Sequence, residues 1–202
     1  MDARQLAACT VRGEVPELYF CADMKGYGWC FRKQNVLNVG LGRLDSHGLA
    51  GQVAGFLRFL RATGKLAADL VPAFRGHAYL LYGRTARTAL DEGVVLIGDA
   101  AGLAYAQSGE GIRPAVESGL LAAKAIASAQ GRYTPERLEF YREQLIKRFG
   151  KPQTDWATRI GRHLPTVVIA LLARQLLATN WFTREVVLDR WFLHRNEPAL
   201  IV

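Results

Sequence analysis

Two segments rich in small residues could together hold a polar or anionic ligand. Asp99 follows Gly98 directly after the apolar, β-branched run 94–97, which predicts a carboxylate at the carboxyl end of a buried strand. Burial of a carboxylate is costly unless something pairs with it, and open α/β sheets place their ligands at that edge. Gly109 and Gly111 follow, and residues without a Cβ let a ligand approach the backbone closely. We therefore predict a ligand site here.

The helix that positions this site is predicted to begin at residue 112. Pro114 falls in its first turn, where a missing N–H does no harm. The free N–H groups at the helix start would favour a negative ligand atom by about 0.3–1 kcal/mol. Apolar and small residues at spacings of three and four predict one buried face, made of Ile112, Ala115, Val116, Gly119, Leu120, Ala123 and Ile126.

The run 98–102, Gly-Asp-Ala-Ala-Gly, and the run 107–112, Gln-Ser-Gly-Glu-Gly-Ile, together resemble a known flavin motif. It is the second motif of FAD-dependent oxidoreductases with the p-hydroxybenzoate hydroxylase fold, and most similar to that of the geranylgeranyl reductase family. The resemblance implies that Asp99 binds the ribityl chain and that its backbone neighbours meet the pyrophosphate. It also implies that N–H groups near Gly111 stabilise reduced flavin, so Glu110 should point away or be paired. The implied FAD-binding residues are Gly98, Asp99, Ala100, Gly109, Gly111 and Ile112.

Three short strands, 17–22, 28–33 and 36–41, predict an antiparallel meander, since only short polar or glycine turns separate them. The phrase 25–31, followed by Asn-Val-Gly-Leu-Gly at 38–42, resembles the Tyr-x-Trp-x-Phe signature of the same family. The resemblance makes Tyr27 and Trp29 walls of the substrate pocket, although aromatic residues on a strand also pack in cores. The family's usual Phe-Pro-Lys-Gly is Phe-Arg-Lys-Gln at residues 31–34. His77, on a predicted strand 76–82, is a candidate substrate contact or a hydrogen-bonded structural residue.

The predicted fold class is α+β or α/β: an antiparallel substrate-domain sheet, the last strand and helix of a Rossmann-like FAD domain, and a C-terminal helical region. We predict three regions with boundaries at 1–90, 91–150 and 151–202. A cover helix is expected at 49–62 and an amphipathic helix at 135–149. Three short helices are expected within 152–193, forming either a lid or a surface for peripheral membrane contact.

The net charge of +8, from 26 basic and 18 acidic residues, fits a solvated face or attraction to anionic lipid or a phosphorylated substrate. No interleaved basic and aromatic pattern predicts a nucleic-acid partner. The three cysteines and four histidines lack metal-ligand spacing, so no metal site is expected. Neither a signal peptide nor an apolar stretch of about twenty residues is predicted, and a cytoplasmic, membrane-associated location would fit.

The first FAD motif, Gly-x-Gly-x-x-Gly at the start of a βαβ unit, is not found in this chain. The resemblance therefore covers only the carboxyl half of the family's fold. We expect exposed apolar faces within 94–129, with either poor stability or a partner that supplies the missing half, and inactivity of this chain alone. The chain would then be a truncated gene product or one half of a split enzyme.

Three functions remain open from the sequence. The first is hydride transfer from reduced flavin to double bonds of a prenyl substrate, with NAD(P)H or ferredoxin as electron donor. The second is a flavin monooxygenase or halogenase, and the third is a non-catalytic remnant or binding subunit. No side chain is an obvious acid–base catalyst, so the catalytic residues are unassigned and the chemistry would be the cofactor's.

Overall fold

The computed structural model describes residues 1–13, 15–45, 47–70, 73–83, 88–150 and 166–200. These residues form two compact units. Unit 1 comprises Met1–Gly76 with Thr166–Ala173, and unit 2 comprises His77–Pro165 with Arg174–Val202. The fold is mixed α/β, with a small antiparallel sheet and several helices, as the sequence predicts in outline.

Unit 1 is built on the predicted meander. Strands β1 (Glu17–Phe20), β2 (Gly26–Lys33) and β3 (Val36–Arg43) pair antiparallel in that order. The first helix, α1, spans Ala3–Ala8, and the predicted cover helix, α2, spans Leu49–Ala62. The core of the unit consists of apolar side chains from these elements and the segments between them, namely Val11, Cys30, Leu60 and Leu66.

Aromatic rings fix α2 on the sheet. A Cβ on Gly28 would lie 2.5 Å from the ring of Phe56, so the glycine lets the helix approach the strand. Tyr19 packs edge-on against Phe56 and Phe59, with ring centroids 5.5 and 5.4 Å away. The meander and its cover helix are therefore confirmed.

The first regular element of unit 2 is a short hairpin with two residues in each strand, and helices follow it. Strands β4 (Leu90–Asp91) and β5 (Val94–Val95) pair antiparallel, and a 3₁₀ turn covers Gly98–Ala101. Helix α3 spans Ile112–Ser128 and helix α4 spans Pro135–Phe149, as predicted for the latter. Their shared core consists of Leu103, Leu121, Ala122, Ala125, Tyr141 and Leu145.

Two strand predictions are wrong. The run 94–97 is not a buried strand, because only its first two residues pair, and Val94 and Ile97 are 49% and 43% exposed. The segment 76–82 is irregular except for a single parallel bridge between Leu81 and Ala104. A strand becomes buried only between neighbouring strands, and none beyond β4 pairs with β5 among the described residues.

Helix α3 buries a different face from the one predicted. Ile112, Val116 and Leu120 are 79%, 59% and 44% exposed. The buried residues are Pro114, Glu117, Ser118, Leu121, Ala122 and Ala125. The physical reason is that α3 carries small and apolar residues on two sides, and α4 packs on the side that includes Leu121. The expected exposure of apolar residues within 94–129 is therefore observed.

The described part of the C-terminal region contains two helices followed by an irregular segment at 193–200. Helix α5 spans Thr166–Leu177, and a π-helix spans Phe182–Phe192. The part of the predicted helical region at 152–165 lies outside the described residues. No described helix has the length and apolar character needed to cross a membrane.

Candidate functional site

The 3₁₀ turn that carries Asp99 is fixed to α3 by hydrogen bonding and close packing. The N–H of Gly98 donates to Oγ of Ser118 over 3.0 Å. Gly98 has a φ of +52°, and a Cβ there would lie 2.9 Å from Cβ of Ala115. Glycine is therefore required at position 98 both by its backbone conformation and by the nearness of α3. Ala100 lies in the same turn, which Gly102 ends with a φ of +68°.

Asp99 joins the two predicted halves of the site. Its Oδ1 lies 2.7 Å from the position that a Cβ on Gly111 would occupy, just before α3 begins at Ile112. The Asp99 side chain is 40% exposed, so a ligand could reach it. The structure thus brings a carboxylate and a helix N-terminus together, an arrangement suited to a hydroxyl-rich ligand with a negative group.

His77 and Tyr79 form one wall of this site. Nε2 of His77 lies 3.1 Å from Oδ2 of Asp99, and its ring stacks on that of Tyr79 with centroids 5.8 Å apart. The Tyr79 hydroxyl lies 2.7 Å from the position of a Cβ on Gly109. Burial, and then the negative charge of Asp99, raise the pKa of Tyr79. His77, predicted to contact substrate, therefore contacts Asp99, which is predicted to bind FAD.

Tyr27 and Trp29 lie in unit 1, on one face of β2, with ring centroids 6.1 Å apart. The Trp29 indole N–H donates to Oδ1 of Asn38 over 2.7 Å. A Cβ on Gly40 would lie 2.1 Å from the Trp29 ring, so the glycine at this position makes room for the indole. Both aromatic residues are half-buried. Their contact with a substrate stays a prediction.

Sequence reasoning missed a buried ionic cluster that supports the loop between Asp99 and α3. Glu117 is 6% exposed and bonds Nε of Arg113 over 2.9 Å and Nε of Arg148 over 2.7 Å. Burial raises the pKa of Glu117, but hydrogen bonds from Arg148 and Arg113 outweigh it and lower that pKa below its ordinary value. The i,i+4 spacing of Arg113 and Glu117 was the available sequence signal.

The same cluster attaches the C-terminal segment 194–198 to the loop. The Tyr105 hydroxyl donates to Oε2 of Glu197 over 3.0 Å, and the Tyr105 ring stacks on His194 with centroids 3.7 Å apart. Nδ1 of His194 lies 3.1 Å from Oε1 of Glu197. Arg113 donates to the carbonyl oxygens of His194 and Pro198. The segment 194–198 therefore packs against the loop that carries the candidate site.

Glu110 was expected either to point away from the flavin edge or to be paired, and it is paired with the backbone. Its Oε1 accepts the N–H of Arg113 over 3.0 Å, which satisfies a free donor in the first turn of α3. Its Oε2 is buried without a hydrogen-bond partner among the described residues. The described part of the chain contains no cluster of three potential metal ligands.

Two curated proteins are similar to most of this chain. Digeranylgeranylglycerophospholipid reductase 2 of Methanothermobacter thermautotrophicus is 32% identical over 153 residues, which cover 73% of this chain and 38% of that protein. Digeranylgeranylglycerophospholipid reductase of Methanothrix thermoacetophila is 32% identical over 142 residues, covering 69% of this chain and 34% of that protein. These similarities support a geranylgeranyl reductase-like family. No family model matches the chain.

The chain spans little more than a third of the length of the reductases that it matches. The similarity supports a reductase of isoprenoid lipids as the general kind of protein.

Proposed function

We propose that this chain is the carboxyl-terminal part of an FAD-dependent reductase that acts on double bonds of prenyl lipids. The observation that carries the proposal is the contact between the Asp99 carboxylate and Gly111 at the start of α3. Both relatives are reductases of digeranylgeranylglycerophospholipid by name, which favours this function over the flavin monooxygenase or halogenase alternative.

The residues of the site fit the flavin part of FAD. Asp99 would accept hydrogen bonds from ribityl hydroxyls, and the backbone of Gly98 and Ala100 would face the pyrophosphate. A Cβ at Gly109 would meet Tyr79 and a Cβ at Gly111 would meet Asp99, so both glycines let these two side chains approach the loop backbone. The backbone of Gly109, Gly111 and Ile112 would face the flavin. When bound, FAD would supply the hydride chemistry. The N-terminus of α3 would stabilise negative charge at the flavin edge.

The substrate part of the proposal rests on the aromatic walls. Tyr27 and Trp29 would contact an apolar prenyl chain, and His77 would orient Asp99 or touch the substrate. NAD(P)H or ferredoxin would supply electrons to the flavin. Among the described residues, no side chain is placed as an acid–base catalyst, so the protein's contribution would be binding and electrostatics.

A partner is part of the proposal because the apolar face of α3 is open. Ile112, Val116 and Leu120 form a row of exposed apolar side chains on α3, and Ile97 is exposed beside Gly119. We propose that a polypeptide with the Gly-x-Gly-x-x-Gly half of the FAD fold covers this face.

Peripheral membrane contact also belongs to the proposal, since α5 exposes the apolar side chains of Val167, Leu171 and Leu172. The proposed location is cytoplasmic.

The deciding experiment is a titration of the purified chain with FAD in which binding is measured by flavin absorbance and fluorescence. Binding should shift the flavin bands, and Asp99→Asn should weaken it by about ten-fold or more, as loss of a charge-assisted hydrogen bond predicts. Asp91→Asn, an exposed acidic residue on β4, is the matched control. A chain that ignores FAD both alone and with a nucleotide-binding partner half would overturn the proposal and favour the binding-subunit alternative.

A further inference from the structure

An open cavity at the surface of unit 1 lies beside the turn between β2 and β3. Its volume is about 780 Å³, within the size range of small-molecule sites. Its lining combines basic and amide side chains with an apolar side chain from α1. The lining residues are Leu6, Gly13, Arg32, Lys33, Gln34 and Asn35.

Arg32 is the unusual member of this cavity. Its Nε is buried and has no hydrogen-bond partner among the described residues. Arg32 is half-buried, and its Nη2 lies 3.7 Å from the position that a Cβ on Gly13 would occupy. Burial of an N–H group without a partner is costly, so an anion that bonds this guanidinium would be favoured.

Several other basic side chains of unit 1 form ion pairs with carboxylates. Arg4 pairs with Asp69, Lys65 with Glu17, and Arg43 with two aspartates. Within the described ranges, neither Arg32 nor Lys33 lies in an ion pair. These two adjacent cations therefore give the cavity a net positive charge that no described carboxylate offsets.

We propose that this cavity binds the phosphate group of a phosphorylated ligand, with Arg32 and Lys33 as the charged contacts. The guanidinium offers a planar pair of donors that match two phosphate oxygens, and the lysine adds a mobile point charge. The amides of Gln34 and Asn35 can donate further hydrogen bonds. The cavity exceeds a bare phosphate in volume, and Leu6 gives it an apolar wall for an attached organic group.

The shared chemistry is a phosphate, which could come from a lipid headgroup or from a soluble compound. The site requires no flavin and includes none of the residues assigned to FAD. A failure of the FAD titration would therefore leave this proposal standing, and a failure here would leave the flavin proposal standing.

The test is calorimetric titration of the full chain with glycerol phosphate and inorganic phosphate, together with sedimentation of vesicles containing phosphatidic acid. Arg32→Gln and Lys33→Gln should each weaken binding by about ten-fold, as loss of a charge-assisted contact predicts. Lys147→Gln removes the same charge from an exposed position on α4 and should bind like the unmodified chain. The melting temperature of each variant checks that it is folded.

The two sources give different patterns, and each supports the proposal. Tighter binding to phosphatidic acid vesicles than to glycerol phosphate would identify a lipid headgroup, whereas equal binding of the soluble compounds would identify a free phosphate. The proposal is overturned if no phosphate probe binds the unmodified chain. It is also overturned if Lys147→Gln weakens binding as much as Arg32→Gln does, because general surface charge would then explain the affinity.

Discussion

Asp99 and Gly111 lie so close together that a Cβ on Gly111 would fall 2.7 Å from Oδ1 of Asp99. This contact joins the 3₁₀ turn to the start of α3 across the intervening loop. It explains why a residue without a side chain stands at position 111, and it sets the direction of the carboxylate. The candidate FAD site depends on this relationship more than on any other contact.

Gly111→Ala should weaken FAD binding without unfolding the protein. The added methyl group would displace the Asp99 carboxylate, which is the movable partner because its side chain is 40% exposed. We expect about a ten-fold loss of affinity in the absorbance titration, equivalent to one lost charge-assisted hydrogen bond.

The matched control for that variant is Gly119→Ala on the same helix. A Cβ at Gly119 meets Ile97 at an ordinary van der Waals distance of 3.9 Å. This substitution should raise helix stability by about 1 kcal/mol and leave FAD affinity unchanged. Equal FAD binding by Gly111→Ala and the unmodified chain would show that Asp99 does not hold the ligand.

Glu117→Gln should destabilise unit 2 strongly. Glu117 is 6% exposed and compensates the charges of Arg113 and Arg148, so its neutralisation leaves these partly buried cations with only the more distant Glu197, at 3.7 and 3.8 Å, as a counter-charge. We expect a loss of about 3 kcal/mol in the free energy of unfolding, measured in urea. Glu139→Gln, which breaks an exposed pair with Arg142, should change stability little.

The stability of unit 2 should also fall on acidification because of Glu117. Its pKa in the folded state is lower than the ordinary value, so the unfolded chain takes up the proton first. The stabilising contribution is therefore complete above the ordinary glutamate pKa of about 4.3, and it is lost as pH falls through the folded pKa. Measured by urea unfolding, the free energy of unfolding should fall less with decreasing pH in Glu117→Gln than in the unmodified chain. An equal fall in both proteins would show that Glu117 does not cause the acid destabilisation.

Val116→Lys should reduce association through the exposed face of α3. The side chain of Val116 is 59% exposed, so the lysine enters without disturbing the core of unit 2. We expect an unchanged melting temperature, less self-association in light scattering, and lost binding of the nucleotide-binding partner half. Ala127→Lys adds the same charge at another exposed position on α3 and should retain the partner. Partner binding by Val116→Lys would place the interface elsewhere.

The sequence was sufficient to predict elements whose signals are local. The meander follows from three β-rich runs separated by short turns, and α2 and α4 follow from apolar spacing that ends at Gly64 and Gly150. The nearness of Asp99 to the start of α3 was expected from a buried strand at 94–97, and it is observed although that strand does not form. Local chemistry therefore determined which segments form elements and which residues could share a site.

Only the tertiary structure decided which face of α3 is buried. Ile112 and Leu121 are both apolar residues of one helix, yet the first is 79% exposed and the second is 3% exposed, because α4 packs on only one side. The pairing of Glu117 with Arg148, and of Tyr105 with Glu197, likewise joins residues far apart in the chain. Burial and ion pairing depend on neighbours brought by folding, and the spacing along a single segment does not specify them.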